Sequence, residues 1–296
     1  MMAAVAFEPR SLILLNLILA LMMFGVSLSL RLEDFKRIFS FPVAPIAGLF
    51  AQFLLLPLAT CLFTWVLNID PQLALGMILV ASCPGGSFSN IMTWLARGNV
   101  AVSVSMTAVS SLAAAVLTPL NFAFYGWLNP YTREYLTKIT IEPSSILVLV
   151  LLVLALPLVL GMLTGRRLPD LVVRVQKPLR IFSLLVLMAF VAIAFSSNFA
   201  LFLERFHSFF WLVVGHNLLA LSLGYGMGLM LKLPVADRRA VTLEVGIQNS
   251  GLGLVILFTF FPEAGGMMLI TAFWGVWHLV SGLTLSQIWA RIPYEQ

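Results

Sequence analysis

The chain has 296 residues, of which 61% are hydrophobic and only 10% charged, and its mean hydropathy is +1.03. This composition excludes a water-soluble protein, because too few polar side chains are present to cover a surface that faces water. Continuous apolar runs of roughly 15 to 25 residues exclude a membrane β-barrel, whose strands alternate at every second residue. Since about 20 apolar residues cross a bilayer, the length accommodates about nine or ten spanning helices and no separate domain outside the lipid bilayer.

The net charge of +5 does not indicate a nucleic-acid partner, because the lysines and arginines stand singly or in small groups between apolar runs. Both cysteines, Cys61 and Cys83, fall inside apolar runs and belong to no metal-ligand motif. We therefore expect neither a disulfide nor a zinc site.

Nine spanning helices are predicted when the sequence is divided at charged residues, proline and asparagine. In chain order they cover residues 11–30, 43–67, 72–96, 101–128, 144–165, 180–198, 208–231, 239–261 and 266–290.

The distribution of basic residues predicts the orientation of these spans. If the N-terminus is outside, 13 of the 17 lysines and arginines face the cytoplasm. The remaining four, Arg10, Arg133, Lys138 and Arg205, lie outside. Because basic residues concentrate in cytoplasmic loops, we expect a multi-pass protein of the cell membrane with its N-terminus outside and its C-terminus in the cytoplasm.

Of the 12 acidic residues, 11 lie in loops or close to span ends, and Glu244 is the exception. It lies about six residues inside the eighth span, where a charged side chain costs roughly 2.5–3.5 kcal/mol on insertion scales. A structural or protonated carboxyl near the interface is one interpretation. A cation or proton site is the other, and it is the one that we favour.

The third and eighth spans are predicted to be discontinuous. The third carries Pro-Gly-Gly at 84–86, and the eighth carries three glycines and two side-chain amides within 246–253. Proline removes a backbone donor and glycine relaxes the helix, so both segments should unwind. Irregular backbone at membrane depth is tolerated only where it is buried in protein or lines a wet cavity, so the two breaks mark a site.

The positions of the breaks also indicate an internal repeat. If one helix is missing at the N-terminus, the broken helices occupy matching places in the two halves and run antiparallel, as in inverted-topology repeats. A chance coincidence of break positions is the alternative.

Two crossing broken helices bring four half-helix ends together, with free N–H groups at the N-terminal ends and free carbonyls at the C-terminal ends. Oxygen-bearing side chains surround the breaks, and hard oxygen ligands suit Na⁺. They are Ser87, Ser89, Asn90, Glu244, Gln248 and Asn249, joined on one face of the fourth span by Ser103 and Thr107. Singly, each hydroxyl is also explained by a hydrogen bond to its own helix.

Four motifs resemble those of the bile acid:sodium symporter family (BASS, also SBF). They are CPGGSFSN at 83–90, LARGN at 95–99, EVGIQNSG at 244–251 and WH at 277–278, and the likeness covers essentially the whole chain. The resemblance implies an all-α polytopic membrane protein built from inverted repeats. Bacterial members commonly have ten helices, so this chain looks like a nine-helix member that lacks the first, and we expect it in a bacterial inner membrane.

The resemblance also implies two sodium sites. The first is formed by Ser89, Asn90, Ser103, Thr107 and Glu244. The second is formed by Gln52, Glu244 and Gln248, with the backbone carbonyls of Val245 and Ile247. Gln52 is a lone amide in an apolar run, and an interhelical hydrogen bond without an ion is the alternative explanation for it.

A single transporter domain, 1–296, follows from the same resemblance, with a panel of about 11–30 and 144–198 and a core of about 43–128 and 208–290. Substrate binds in the cleft between them. Ser87, Asn249 and His278 are the candidate substrate donors. A packed histidine without a ligand is the alternative for His278, and Leu279 stands where the family often has Asn.

The predicted function is sodium-coupled symport of a small organic anion, such as a bile-acid-like, pantoate-like or 2-oxo acid carboxylate, by alternating access, with two Na⁺ per substrate. Proton coupling through Glu244 and efflux of an arsenite-type oxyanion are the alternatives among transporters. An intramembrane enzyme and a channel come from other classes. The sequence contains no HExxH, GxSxG or paired carboxylates within spans, which disfavours an enzyme.

Overall fold

The computed structural model describes residues 31–138, 151–197 and 199–292, together with 17–18, 20–21, 23–25 and 27–28. Within these residues all regular secondary structure is helical. The predicted segments 11–16 and 144–150 and residue Asn198 lie outside the described residues, so the first, fifth and sixth spans are compared only in part.

Twelve helices are described between residues 31 and 292, and two π-helical turns accompany them, Ala51–Leu55 inside α2 and Leu151–Ala155 just before α7. The helices are α1 Leu32–Ser40, α2 Val43–Val66, α3 Pro71–Ser82, α4 Phe88–Leu95, α5 Val100–Leu128, α6 Pro130–Lys138, α7 Leu156–Arg167, α8 Pro169–Ser197, α9 Phe199–Met230, α10 Val235–Gly246, α11 Ser250–Phe260 and α12 Gly265–Ala290.

Among the residues that the structure describes, four segments are long and apolar enough to cross a membrane: α2, α5, α12 and the part Phe209–Met230 of α9. Their outward faces leave large apolar side chains uncovered, such as Phe50 and Leu54 on α2 and Leu120 and Phe124 on α5. Apolar faces of this extent, exposed along spanning helices, are suited to contact with lipid.

Both predicted breaks are confirmed. The third span ends as α3 at Ser82 and resumes as α4 at Phe88, and the eighth ends as α10 at Gly246 and resumes as α11 at Ser250. Cys83 has extended backbone angles (φ −72°, ψ 159°), as expected for a residue that precedes proline. Ile247 is also extended (φ −115°, ψ 96°), although no proline follows it.

The helices that contain the sixth and seventh spans, predicted over 180–198 and 208–231, extend further toward the N-terminus than these spans, although the apolar part of α9, Phe209–Met230, agrees with the seventh. The helices begin at Pro169 and Phe199, and Pro178 lies inside α8. Dividing the sequence at charged residues treats every lysine and arginine as loop, whereas a helix continues into the charged interface region beyond its apolar part. The short helices α1 and α6 were not predicted for the same reason, since they lie between the apolar runs.

The interior is formed by α3, α10 and α11, which flank the breaks, and by α12, which packs against α3 and α11. Ten of the twelve residues of α3 are buried, as are nine of the eleven residues of α11. Gly224 on α9 lies against α10. A Cβ at this position would lie 2.8 Å from Thr242 Cα, so glycine permits the close approach of the two helices. The break residues 83–86 and 246–248 are themselves buried, as irregular backbone in a membrane requires.

Candidate functional site

The two breaks meet and are hydrogen-bonded to each other. Gly85 and Gln248 form an isolated antiparallel β-bridge. The Gly86 N–H donates to the Ile247 carbonyl (2.7 Å), and the Asn249 N–H donates to the Pro84 carbonyl (2.8 Å). The unwound segments therefore satisfy part of each other's backbone, which a membrane interior otherwise leaves without partners.

Glu244 lies in the last turn of α10 and is fully buried. Its Oε2 accepts hydrogen bonds from the hydroxyls of Ser89 (2.5 Å) and Ser103 (3.0 Å). Its Oε1 accepts a hydrogen bond from the hydroxyl of Thr107 (2.7 Å). Three hydroxyls from two other helices, α4 and α5, thus converge on one carboxylate.

This carboxylate has no basic partner in the described part of the chain. Its hydrogen-bond partners are neutral hydroxyls, and no lysine or arginine there lies within salt-bridge distance of it. Arg239, five residues earlier on α10, directs its guanidinium away, to the carbonyls of Ala96 (2.7 Å) and Ile292 (3.0 Å). A buried charge is retained at tolerable cost only when a positive partner balances it, so the site suits a cation.

Gly85 makes room for the carboxylate. A Cβ at this position would lie 2.8 Å from Glu244 Cδ and still closer to Glu244 Oε1. Position 85 therefore requires glycine because the Glu244 side chain occupies the space of a Cβ, and not only because of the local backbone.

The hydroxyl of Thr107 has more acceptors around it than protons to give. It lies 2.7 Å from Glu244 Oε1, 3.0 Å from the Ser103 carbonyl and 3.3 Å from Asn90 Oδ1. A hydroxyl carries one proton, so it can serve only one of these oxygens at a time. The buried Thr93 extends the cluster, because its hydroxyl lies 3.4 Å from Ser103 Oγ. This surplus of oxygen lone pairs is the arrangement that a hard cation binds.

The residues predicted for the second sodium site also lie together. Gln52 is fully buried on the π-helical turn of α2, and its Nε2 donates to Gln248 Oε1 (3.4 Å). Gln248 Nε2 donates to the Val245 carbonyl (2.8 Å). Gln52 Oε1 is buried and has no hydrogen-bond partner among the described residues. Such π-turns are frequent at functional sites, and an orphaned buried oxygen is a group that a cation would satisfy.

Two of the three predicted substrate residues flank the crossing. Ser87 precedes α4 and makes no side-chain capping bond, whereas Asn249 precedes α11 and accepts from the Leu252 N–H (3.1 Å). His278 lies on α12 and is buried, with Nδ1 unpartnered among the described residues. No hydrogen bond in the described chain joins His278 to either of the other two, so the structure does not bring all three into one constellation.

Sequence reasoning missed a set of buried polar contacts between α9 and α12. His216 Nδ1 accepts from the Trp274 indole N–H (3.0 Å), and its Nε2 lies 2.9 Å from Thr60 Oγ1. Asn217 hydrogen-bonds the Gly246 carbonyl and the hydroxyl of Ser281. The residues on the two helices are distant in sequence, so no local spacing predicts these hydrogen bonds.

Spanning apolar helices around an interior cluster of oxygens are typical of a membrane transporter. The family model described as "Sodium Bile acid symporter family" matches residues 16–205. Over 94% of the chain and 83% of the relative, the sequence is 31% identical to Bacillus subtilis YocS, which is named as an uncharacterized sodium-dependent transporter.

Two relatives from eukaryotes agree with this. Over 94% of the chain and 67% of the relative, identity is 33% to the probable chloroplastic sodium/metabolite cotransporter BASS1 of Arabidopsis thaliana. Over 82% of the chain and 55% of the relative, it is 28% to the human sodium/bile acid cotransporter 4. The chain belongs to the sodium bile acid symporter family, as its motifs predicted. It is thus a multi-pass membrane protein of a family of sodium-dependent transporters.

Proposed function

We propose that the protein is a sodium-coupled symporter that moves a small organic anion across the cell membrane by alternating access, with two Na⁺ ions per substrate. The proposal rests on one observation above all. Glu244, buried and without a basic partner in the described chain, receives three hydroxyls from α4 and α5.

The first Na⁺ would bind among Glu244, Ser89, Asn90, Ser103 and Thr107. An ion there replaces the hydroxyl protons as the positive partner of the carboxylate, and the hydroxyls then turn their lone pairs to it. Sodium is cargo in this scheme, so its release to the cytoplasm returns the three hydroxyls to Glu244.

The second Na⁺ would bind between Gln52 and the break of the eighth span. The unpartnered Gln52 Oε1 and the oxygens of Gln248, Val245 and Ile247 are its ligands, together with Glu244. Here the ion satisfies an oxygen that the described protein leaves without a donor, which favours binding over a purely structural amide contact.

The substrate is an anion in this proposal because the N-terminal ends of α4 and α11 meet at the crossing. Free N–H groups and a positive potential are available there for a carboxylate. Ser87 supplies a hydroxyl that caps no backbone group, and Asn249 and His278 are the further donors that we assign. Two Na⁺ are balanced by Glu244 and one substrate anion, so the loaded centre is near neutral. One net charge enters per cycle, which adds about 2.3 kcal/mol of drive per 100 mV.

The architecture that we propose has nine spans in inverted repeats, the N-terminus outside and the C-terminus in the cytoplasm. Core and panel are those assigned from the sequence, and substrate lies between them. The two antiparallel broken helices crossing at their breaks support the repeat.

The decisive experiment uses Glu244→Gln, which keeps shape and removes charge. In proteoliposomes with an inward Na⁺ gradient, anion uptake should fall to background, and Na⁺ in place of K⁺ should no longer raise the melting temperature of the variant. Glu263→Gln is the matched control, because Glu263 is exposed in the turn between α11 and α12, and it should behave as wild type. The linkage between bound ligand and stability makes the second readout independent of knowing the substrate.

Sodium-dependent uptake that survives in Glu244→Gln would refute the ion site. Wild-type uptake that follows a pH gradient in K⁺ and ignores Na⁺ would establish proton coupling instead. Outward transport of an oxyanion such as arsenite would establish the efflux alternative.

A further inference from the structure

Two polar residues of α9 are hydrogen-bonded to two residues of α12 across a buried interface. We name His216, Asn217, Trp274 and Ser281 the α9–α12 seam. Trp274 and Ser281 are seven residues apart, which places them on one face of α12, with His278 between them. His216, Asn217 and Trp274 are at most 1% exposed. The sodium and substrate assignments above use none of the four.

Hydrogen-bond chemistry fixes the orientation of the Asn217 amide. A carbonyl only accepts, so the group that faces the Gly246 carbonyl at 2.9 Å is the Nδ2 amine. Oδ1 therefore faces Ser281, whose hydroxyl donates to it at 2.5 Å. Ser281 thus holds Asn217, and Asn217 holds the carbonyl at the end of α10.

The Gly246 carbonyl lies between the carbonyls of Val245 and Ile247, which are ligands of the proposed second sodium site. Ile247 is extended, and in extended backbone successive carbonyls point in opposite directions. The Gly246 carbonyl is directed to α9 by Asn217, so the Ile247 carbonyl is directed to the crossing, where the Gly86 N–H donates to it at 2.7 Å. Without the amide of Asn217, a buried carbonyl would lack a donor, and the break would be free to rotate.

We propose that Asn217, held by Ser281, is a positioning residue for the second sodium site. It fixes the direction in which the carbonyls of the second break point, and it does so from a helix that contributes no ion ligand. The inference rests on the proposed function, since it assumes that Val245 and Ile247 carbonyls bind Na⁺. It also means that movement of α9 against α10 changes sodium affinity.

The test measures the Na⁺ concentration that gives half of the thermal stabilisation by Na⁺, with K⁺ holding ionic strength constant. Asn217→Leu, which keeps volume and removes both hydrogen bonds, should raise it about tenfold. Ser281→Ala should raise it about threefold, and Ser281→Thr should restore it. Ser286→Ala is the matched control, because Ser286 is buried on the same helix and its hydroxyl donates only to the Gly282 carbonyl (2.7 Å).

Each outcome separates the two proposals. If wild type shows no stabilisation by Na⁺, the proposed function fails. If wild type is stabilised but Ser281→Ala and Asn217→Leu keep its half-saturation while melting lower in both salts, the seam is structural only and this inference is overturned. In its half-saturation by Na⁺, the double variant should match Asn217→Leu alone, because Ser281 acts through Asn217. Ser281→Ala, which removes one part-buried hydroxyl, keeps the test decisive should Asn217→Leu fold poorly.

Discussion

The two broken helices are interrupted by different means. The break between α3 and α4 contains Pro84, Gly85 and Gly86, whose backbones resist a continuous helix by themselves. The break between α10 and α11 contains no proline, and its carbonyls are held by donors from elsewhere: Asn217 on α9 and Gly86 at the other break. One interruption is therefore local in origin, and the other depends on its neighbours.

This difference predicts where each break is vulnerable. The second should respond to substitutions on helices that surround it, because its geometry is supplied by partners. The first should tolerate loss of its proline but not of the glycine that touches Glu244. Three variants test these contributions, and their expected effects decrease in the order given.

Gly85→Ala should have the largest effect. The new methyl group would overlap the Glu244 carboxylate, so we expect a loss of about 1–3 kcal/mol of stability and the disappearance of stabilisation by Na⁺. Melting temperatures in Na⁺ and in K⁺ measure both. Gly226→Ala is the control: a Cβ there meets nothing within 4 Å, and the change should leave the protein as stable or slightly more stable. Unaltered Na⁺ stabilisation in Gly85→Ala would contradict the geometry of the crossing.

Replacing Ser103 and Thr107 together by alanine should have an intermediate effect. Two of the three hydroxyls on Glu244 disappear, and we expect the Na⁺ concentration for half-maximal transport to rise about tenfold, as for the loss of hydrogen bonds to a charged group. Uptake against Na⁺ concentration measures it. The matched double variant, Ser105→Ala with Ser110→Ala, removes hydroxyls that donate only to carbonyls of α5 itself and should not shift the curve. An equal shift in both would remove this face of α5 from the ion site.

Pro84→Ala should have the smallest effect. The Pro84 carbonyl still accepts from Asn249, and Gly85 still admits Glu244, so the break should persist. The expected cost is about 0.4–1 kcal/mol, because the unfolded chain gains freedom. Chemical denaturation in detergent, compared with transport, checks this. Abolished transport with an intact fold would show that proline itself shapes the first break.

Much of this site could be predicted from the sequence because its chemistry is out of place in lipid. An acid, glycine pairs and amides inside apolar runs are costly there, so Glu244 and both breaks stand out from the amino-acid sequence alone. The structure brings the hydroxyls of Ser89, Ser103 and Thr107 to Glu244, and their binding of an ion stays a prediction.

The rest depended on proximity that no local pattern encodes. Thr93 and Asn217 look like ordinary polar residues of membrane helices, and only the packing of α4 on α5 and of α9 on α10 gives them partners. The π-helical turn that carries Gln52 was not predicted, although it ends two residues before Pro57, just as the turn Leu151–Ala155 ends two residues before Pro157, and proline disrupts the helix turn that precedes it. The extensions of α8 and α9 before their predicted spans were not anticipated, because charged residues do not stop a helix that continues into the interface.

Trp274 gives the protein an internal fluorescent reporter. It is the fully buried indole among the tryptophans, since Trp65, Trp94, Trp127 and Trp211 are all more than 40% exposed and Trp277 and Trp289 are partly so. Its N–H is bonded to His216, so its emission responds to the separation of α9 from α12. Water-soluble and lipid-soluble quenchers reach the outer indoles first, so the emission that remains unquenched comes from Trp274. This residue lies beside α9, the helix that we propose positions the second break.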